Sequence, residues 1–302
     1  VYKRQIGHKP PTPLTLLSLT TPTTWAGHTQ GCEPFRRVME RIPLAKPYWD
    51  EECERAAIDA LSSGRWVKGP QAKQFGEEFA EWCGAISAVP CQSGSAALWA
   101  AMRILDIGPG DEVIVPGMTF IATATSVSLV GATPVFADIE EDYWCICPDD
   151  VEAKITDRTK AVIGVHIFGQ TFSPRLKEIC QRHNIALVED AAQAHGASLD
   201  GVKAGAIGDI ACFSFFPSKN MAVGGEGGMI TTTRADLAEK MSRVVNHGRN
   251  NMLESVELGT NLRMSEVSAA IGRVQLKHLE HWTKQRQENS KSINHKTKLR
   301  EN

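Results

Sequence analysis

The residues with the clearest capacity for chemistry lie in Asp209-Ile-Ala-Cys-Phe-Ser-Phe-Phe-Pro-Ser-Lys219, followed closely by Gly224-Gly-Glu-Gly-Gly228. Residues 210–216 are apolar except for Ser214, the pattern of a buried strand, and Pro217 then breaks the strand so that Ser214 and Lys219 arrive at a turn. An amine beside an apolar strand end loses hydration, which disfavours its ammonium form and frees it to attack a carbonyl. Lys219 is therefore the candidate covalent anchor, through a Schiff base, of a carbonyl cofactor.

Three further groups sit where catalytic groups would be needed. Asp190 closes the apolar run that ends Val188-Glu189-Asp190, and a carboxylate at the end of a buried strand is expensive unless it meets a cation or strong donors. Gln193 and His195 follow it. Ser93-Gly94-Ser95 opens directly into an Ala-rich helix, whose free N–H groups and dipole favour an anion, with Ser93 or Ser95 adding a hydroxyl. Phe120, after Pro116-Gly-Met-Thr, is an aromatic that can stack on a flat ring. Taken together, these meet the needs of pyridoxal 5′-phosphate. Lys219 takes the aldehyde, Asp190 keeps the pyridine nitrogen protonated, Gly94, Ser95 and Ser214 hold the phosphate, Phe120 covers the ring face, and Gln193 or His195 meets the ring hydroxyl. No G-x-G-x-x-G turn opens a helix after the first strand, so a dinucleotide reading is weak. His166, ending another apolar run, is a lone histidine of the kind that more often belongs to a core.

Positioning these groups requires an α/β domain. Short apolar strands are predicted at 88–91, 112–115, 133–137, 161–166, 185–189, 210–215 and 229–232. Helices are predicted at 48–61, 71–83, 96–105, 121–129, 148–155, 174–183 and 235–246. Strands apolar on both faces imply a mainly parallel sheet covered by helices, with the chemistry at the strands' carboxyl ends.

Composition narrows the class. The chain has 302 residues, 42% apolar, with a formal charge of −2, which offers no basic patch for nucleic acid and no apolar run for a bilayer. Its eight cysteines are scattered, and the one close pair, Cys145 and Cys147, lacks a second pair or His at zinc spacing, so a reducing cytoplasm and no metal are expected. Residues 1–38 are Pro/Thr-rich without periodicity and read as an unstructured or non-native extension, with Met39 a sensible start. Residues 291–302 read as a polar tail.

From about residue 42 to 282 the chain resembles the DegT/DnrJ/EryC1/StrS aminotransferases. The shared motifs include Gly64-Arg-Trp66 with Gly69-Pro70, Ser93-Gly-Ser-Ala-Ala-Leu98, Thr119-Phe-Ile-Ala-Thr123, Val165-His-Ile-Phe-Gly169, Glu189-Asp-Ala-Ala-Gln-Ala-His-Gly196, Phe213-Ser-Phe-Phe-Pro-Ser-Lys219 and Asn261-Leu-Arg-Met264. The resemblance implies the fold type I of pyridoxal phosphate-dependent transferases, which is aspartate aminotransferase-like. In that fold a large domain carries a seven-stranded, mainly parallel sheet and is followed by a small C-terminal domain. It implies a large domain over 39–264, with 265–302 a linker helix and the start of a small domain that is mostly missing. It further implies a homodimer with active sites at the subunit interface, and transfer of an amino group from an amino acid, glutamate foremost, to a nucleotide-linked keto sugar or a keto cyclitol.

By the same resemblance, Lys219 is the Schiff-base lysine, Asp190 the pyridine-nitrogen partner, Gln193 a contact near the ring oxygen, Phe120 the stacking aromatic, and Gly94, Ser95 and Ser214 phosphate binders. Asn261 matches a residue that reaches the phosphate from the neighbouring subunit. His166, Gln170 and Trp66 stand at positions suited to substrate contact. Ser95 replaces the threonine common in relatives and keeps the hydroxyl. Members that act as sugar dehydratases carry histidine in place of the lysine, and Lys219 is intact here. A dehydratase of the same fold and a non-catalytic cofactor-binding protein are the alternatives.

Overall fold

The computed structural model describes residue 43 and residues 45–298; the expectations for 1–38 and for Met39 lie outside the described residues. Helices α1 (Glu51–Ser62) and α2 (Pro70–Cys83) lead into β1 (Ser87–Cys91), α3 (Gly94–Ile104), β2 (Glu112–Pro116), α4 (Ala122–Leu129) and β3 (Thr133–Ala137). Then follow α5 (Pro148–Ala153), β4 (Thr159–Val165), α6 (Arg175–His183), β5 (Ala186–Asp190), the short hairpin β6 (Ser198–Leu199) and β7 (Val202–Lys203), β8 (Ile210–Ser214), β9 (Gly228–Thr232), α7 (Ala235–Val244) and α8 (Glu266–Lys298). All seven predicted strands form, within two residues of the expected bounds. The hairpin was not foreseen, because two-residue strands carry too little alternation to read.

The helix boundaries have local causes. The pattern from Tyr48 is apolar enough to suggest helix, but α1 starts at Glu51 because the Asp50 carboxylate accepts from the Cys53 N–H at 2.8 Å and caps it. Pro70 occupies the first turn of α2, and Gly84 ends it in the left-handed region at φ 81°. The buried Glu266 carboxylate, from the start of α8, accepts from the Gln71 and Ala72 N–H groups at 2.7 and 3.2 Å and so ties α8 to the start of α2.

The main sheet has the order β1-β9-β8-β5-β4-β2-β3. Only β9 runs against the rest, pairing antiparallel with both β8 and β1, while the remaining pairs are parallel. Six strands therefore present their carboxyl ends at one edge of the sheet.

Alternation along each strand divides the core. Val188, Ile210 and Cys212 pack with α3 and α4 residues such as Leu98, Met102 and Val127. Phe213 and Met229 pack on the other face with Phe75 and Phe79 of α2 and Leu276 and Leu279 of α8. Ile114, Val162 and Leu187 meet Leu176 and Ile179 of α6. The helix expected to lead away after residue 265 thus packs its first half into the same core, and the described residues belong to one compact unit. The expected polar tail at 291 is helical through Lys298, with residues 291–293 exposed. Among the described residues no helix is long and apolar enough to cross a membrane, no His/Cys/Asp/Glu group could hold a metal, and the cysteines are free thiols.

Candidate active site

The shared carboxyl edge gathers the chemistry. A cavity of about 470 Å³ there is bordered by Gly94, Ser95, Phe120, His166, Asp190, Gln193, Ser214 and Lys219. Residues as far apart in sequence as Ser93 and Glu226 meet in it because β1, β4, β5 and β8 all end at this edge.

Asp190 and its neighbour Glu189 show how a strand sorts two carboxylates. Successive side chains point to opposite faces. Asp190 sits on the α4 face, where Oδ2 accepts from the Thr123 hydroxyl at 2.8 Å and Oδ1 from the Ala192 N–H at 3.2 Å. Thr123 in turn lies 2.8 Å from the Thr119 hydroxyl. Burial raises the Asp190 pKa; the two donors, the charge of Lys219 and His166 pull against that rise. Among the described residues no Lys, Arg or His nitrogen forms an ion pair with Asp190, and the Lys219 charge acts on it without direct contact.

Glu189 points to the other face and is fully buried. Its oxygens accept from the N–H groups of Gly205, Ile207 and Gly208 at 2.7–2.9 Å, and Oε2 lies 2.8 Å from His166 Nε2. The His166 ring stacks on Phe172 at 4.3 Å, and its Nδ1 is buried without a partner. His166 therefore stands in the wall of the cavity, held from behind.

Gly94 opens α3, capped by the Ser93 hydroxyl, which accepts from the Ala96 N–H at 3.1 Å. A Cβ at Gly94 would lie 2.7 Å from Ser214 Cβ, so glycine is what lets the helix start press against the end of β8. The first N–H groups of α3 and the hydroxyls of Ser95 and Ser214 thereby line one end of the cavity, a setting for an anion. Lys219 sits in a tight turn closed by its own N–H on the Phe216 carbonyl at 2.8 Å. Its amine makes no hydrogen bond or ion pair among the described residues, and it borders the cavity with Asp190.

Gln193 borders the cavity while its side-chain oxygen accepts from the Phe168 N–H at 2.8 Å, which leaves its NH₂ to donate to a bound group. Phe120 is 72% exposed at the rim.

The expected ring contact from His195 is corrected. Its ring is 1% exposed and packs against Phe213 and Phe215 at 5.3 and 5.6 Å, in the core behind the turn and not in the cavity wall. Asn261, Gln170 and Trp66 also stand outside this cavity. Asn261 is exposed beside Gln92, whose side chain donates to its carbonyl; the Gln170 side chain donates to the Thr171 carbonyl; and the Trp66 indole donates to the Leu61 carbonyl. Thr123 and Glu189 were missed as functional support. No local signal marks Thr123, because its partner Asp190 lies 67 residues away and is brought to it by the sheet.

An α/β sheet with a lysine and a buried aspartate facing one cleft at its carboxyl edge defines the class. The sequence profile of the DegT/DnrJ/EryC1/StrS aminotransferase family matches residues 47–301, and the chain belongs to that family. It is 44% identical, over 72% of its length, to UDP-N-acetyl-3-dehydro-alpha-D-glucosamine 3-aminotransferase from Acidithiobacillus ferrooxidans. It is 43% identical, over 78% of its length, to dTDP-3-amino-3,4,6-trideoxy-alpha-D-glucose transaminase from Streptomyces venezuelae. It spans 60% and 62% of those relatives' lengths. Among solved structures, an aminotransferase from Psychrobacter cryohalolentis superposes with a TM-score of 0.80 at 38% identity, covering 82% of this chain and 67% of that one.

Proposed function

We propose that the protein acts as a pyridoxal 5′-phosphate-dependent aminotransferase that moves an amino group from an amino acid, glutamate foremost, to a nucleotide-linked keto sugar. The observation that carries this reading is the cavity in which the Lys219 amine, without a hydrogen bond or ion pair among the described residues, and the buried Asp190 face the same space.

The residues present fit the cofactor. Asp190 would hold a protonated ring nitrogen, whose positive charge offsets the cost of burying the carboxylate. The start of α3 with Ser95 and Ser214 would bind the phosphate, Phe120 would cover the ring, and the Gln193 NH₂ would donate to the ring oxygen. When bound, pyridoxal 5′-phosphate supplies an aldehyde for an amine and a ring that accepts an electron pair. Lys219 Nζ, a general base and acid held within the cleft, would take the proton from the donor's α-carbon and deliver it to the carbon that had been the cofactor's aldehyde carbon, and would run the same transfer in reverse on the keto acceptor. Asn261, exposed and outside its own chain's cavity, suits a homodimer in which it reaches the neighbouring copy's phosphate. Among the described residues the free thiols are mostly buried, which fits a reducing cytoplasm.

Incubation with pyridoxal 5′-phosphate, nitrogen-labelled glutamate and a series of nucleotide-linked keto sugars tests the reading. The label is expected in the sugar product. Loss of a sugar hydroxyl with no label transferred would assign a dehydratase instead.

A further inference from the structure

Thr119, in the loop between β2 and α4, is half-buried and borders the cavity without a part in the reading above. Its hydroxyl lies 2.8 Å from the Thr123 hydroxyl and has no other hydrogen-bond partner among the described residues. Thr123 is fully buried, and its hydroxyl lies 2.8 Å from Asp190 Oδ2. Side chains from a loop, a helix and a strand end thus form one chain that runs from the cavity wall to a buried carboxylate.

Counting protons fixes the direction of that chain. A hydroxyl has one proton to give and two lone pairs, and an ionised carboxylate can only accept. Thr123 must therefore spend its proton on Asp190 and take one from Thr119. Thr119 in turn gives its proton inward and keeps only lone pairs for anything else it meets. Hydrogen bonds linked in this way polarise one another, so Thr123 is a stronger donor with Thr119 behind it than alone. Without Thr119, a buried lone pair on Thr123 also goes unmatched.

We infer that Thr119 is a positioning residue for Asp190 that acts through Thr123: its hydroxyl backs the Thr123 hydroxyl and so holds the carboxylate ionised and aimed at a cation in the cavity. This rests on the reading above, in which that cation is a protonated ring nitrogen; the bond between the two threonines does not. The competing role for the same bond is to hold the loop that carries Phe120, whose carbonyl accepts from the Thr123 N–H at 3.1 Å. The two roles differ in what they reach. The relay bears on the ring nitrogen alone, whereas a displaced Phe120 would disturb the face of any flat ligand.

Equilibrium titration with pyridoxal 5′-phosphate, and with its analogue carrying carbon in place of the ring nitrogen, tests the relay. Thr119→Val should bind the cofactor about fivefold more weakly, and Thr119→Ser, which keeps the hydroxyl, should stay within about twofold of wild type. In a Thr123→Val background, Thr119→Val should cost nothing further, because the chain is already cut. The carbon analogue should bind equally to wild type and to Thr119→Val. Unchanged cofactor affinity in Thr119→Val, no rescue by Thr119→Ser, or the same loss repeated in the Thr123→Val background would overturn the relay. An equal loss for the carbon analogue would overturn it too, and would assign Thr119 to Phe120. Thr119→Ala carries the same test where the valine variant does not fold. Wild type that binds both ligands equally, or neither, would overturn the cofactor reading instead. The chain is then decided by urea unfolding of the cofactor-free protein: the destabilisation caused by Thr119→Val should vanish in the Thr123→Val background, and an equal loss in both backgrounds would overturn it.

Discussion

The Thr123 hydroxyl donates to Asp190 Oδ2 at 2.8 Å from the first turn of α4, and both side chains are buried. A threonine on a helix thus orients a carboxylate at the end of a strand 67 residues later. The bond stabilises the ionised form that burial alone would disfavour, and it leaves an oxygen lone pair for a cation in the cavity.

Thr123→Val keeps the shape and removes the donor. Hydrogen bonds to charged groups contribute about 1.5–3 kcal/mol, so pyridoxal 5′-phosphate should bind roughly ten- to a hundredfold more weakly. Absorbance titration measures this, and affinity within twofold of wild type would show that Thr123 does not support Asp190.

Gly94→Ala places a Cβ 2.7 Å from Ser214 Cβ, and the helix start must move away from the end of β8. If that junction holds the phosphate, binding of pyridoxal 5′-phosphate should fall at least about tenfold, while pyridoxal, lacking the phosphate, loses far less. Equal losses for the two ligands would place the phosphate elsewhere.

His195 gives a pH dependence. Desolvation first, and the Lys219 charge second, bring its pKa down to about 3 in the folded protein. The unfolded chain takes up a proton near pH 6.5, so the stability it contributes is present above that value and is lost as pH falls towards 3. Between pH 7 and pH 4 wild type should lose roughly 3 kcal/mol more than His195→Phe, whose ring fits among Phe213 and Phe215. Parallel losses in urea unfolding at the two pH values would contradict this.

The sheet was readable because strands covered on both faces are written as short, wholly apolar runs. Lys219, Asp190 and Ser214 were readable for the related reason that polar groups closing such runs are anomalous. What escaped depends on pairs distant in sequence. Nothing local distinguishes His195, buried between two phenylalanines, from a histidine facing a ligand. The Glu189 carboxylate finds its partners at 205–208 through loop closure, which no periodicity encodes. The continuation of α8 past residue 291 also escaped, because a charged, polar run is compatible with either helix or tail.

The central claim is that Lys219 and Asp190 grip one cofactor from opposite sides of the cleft. The most direct measurement is the visible spectrum of the protein with pyridoxal 5′-phosphate, set beside those of Lys219→Ala and Asp190→Asn. The wild type should show a protein-dependent visible band, Lys219→Ala none, and Asp190→Asn a shifted band with weaker cofactor retention. A band unchanged in Lys219→Ala would contradict the account.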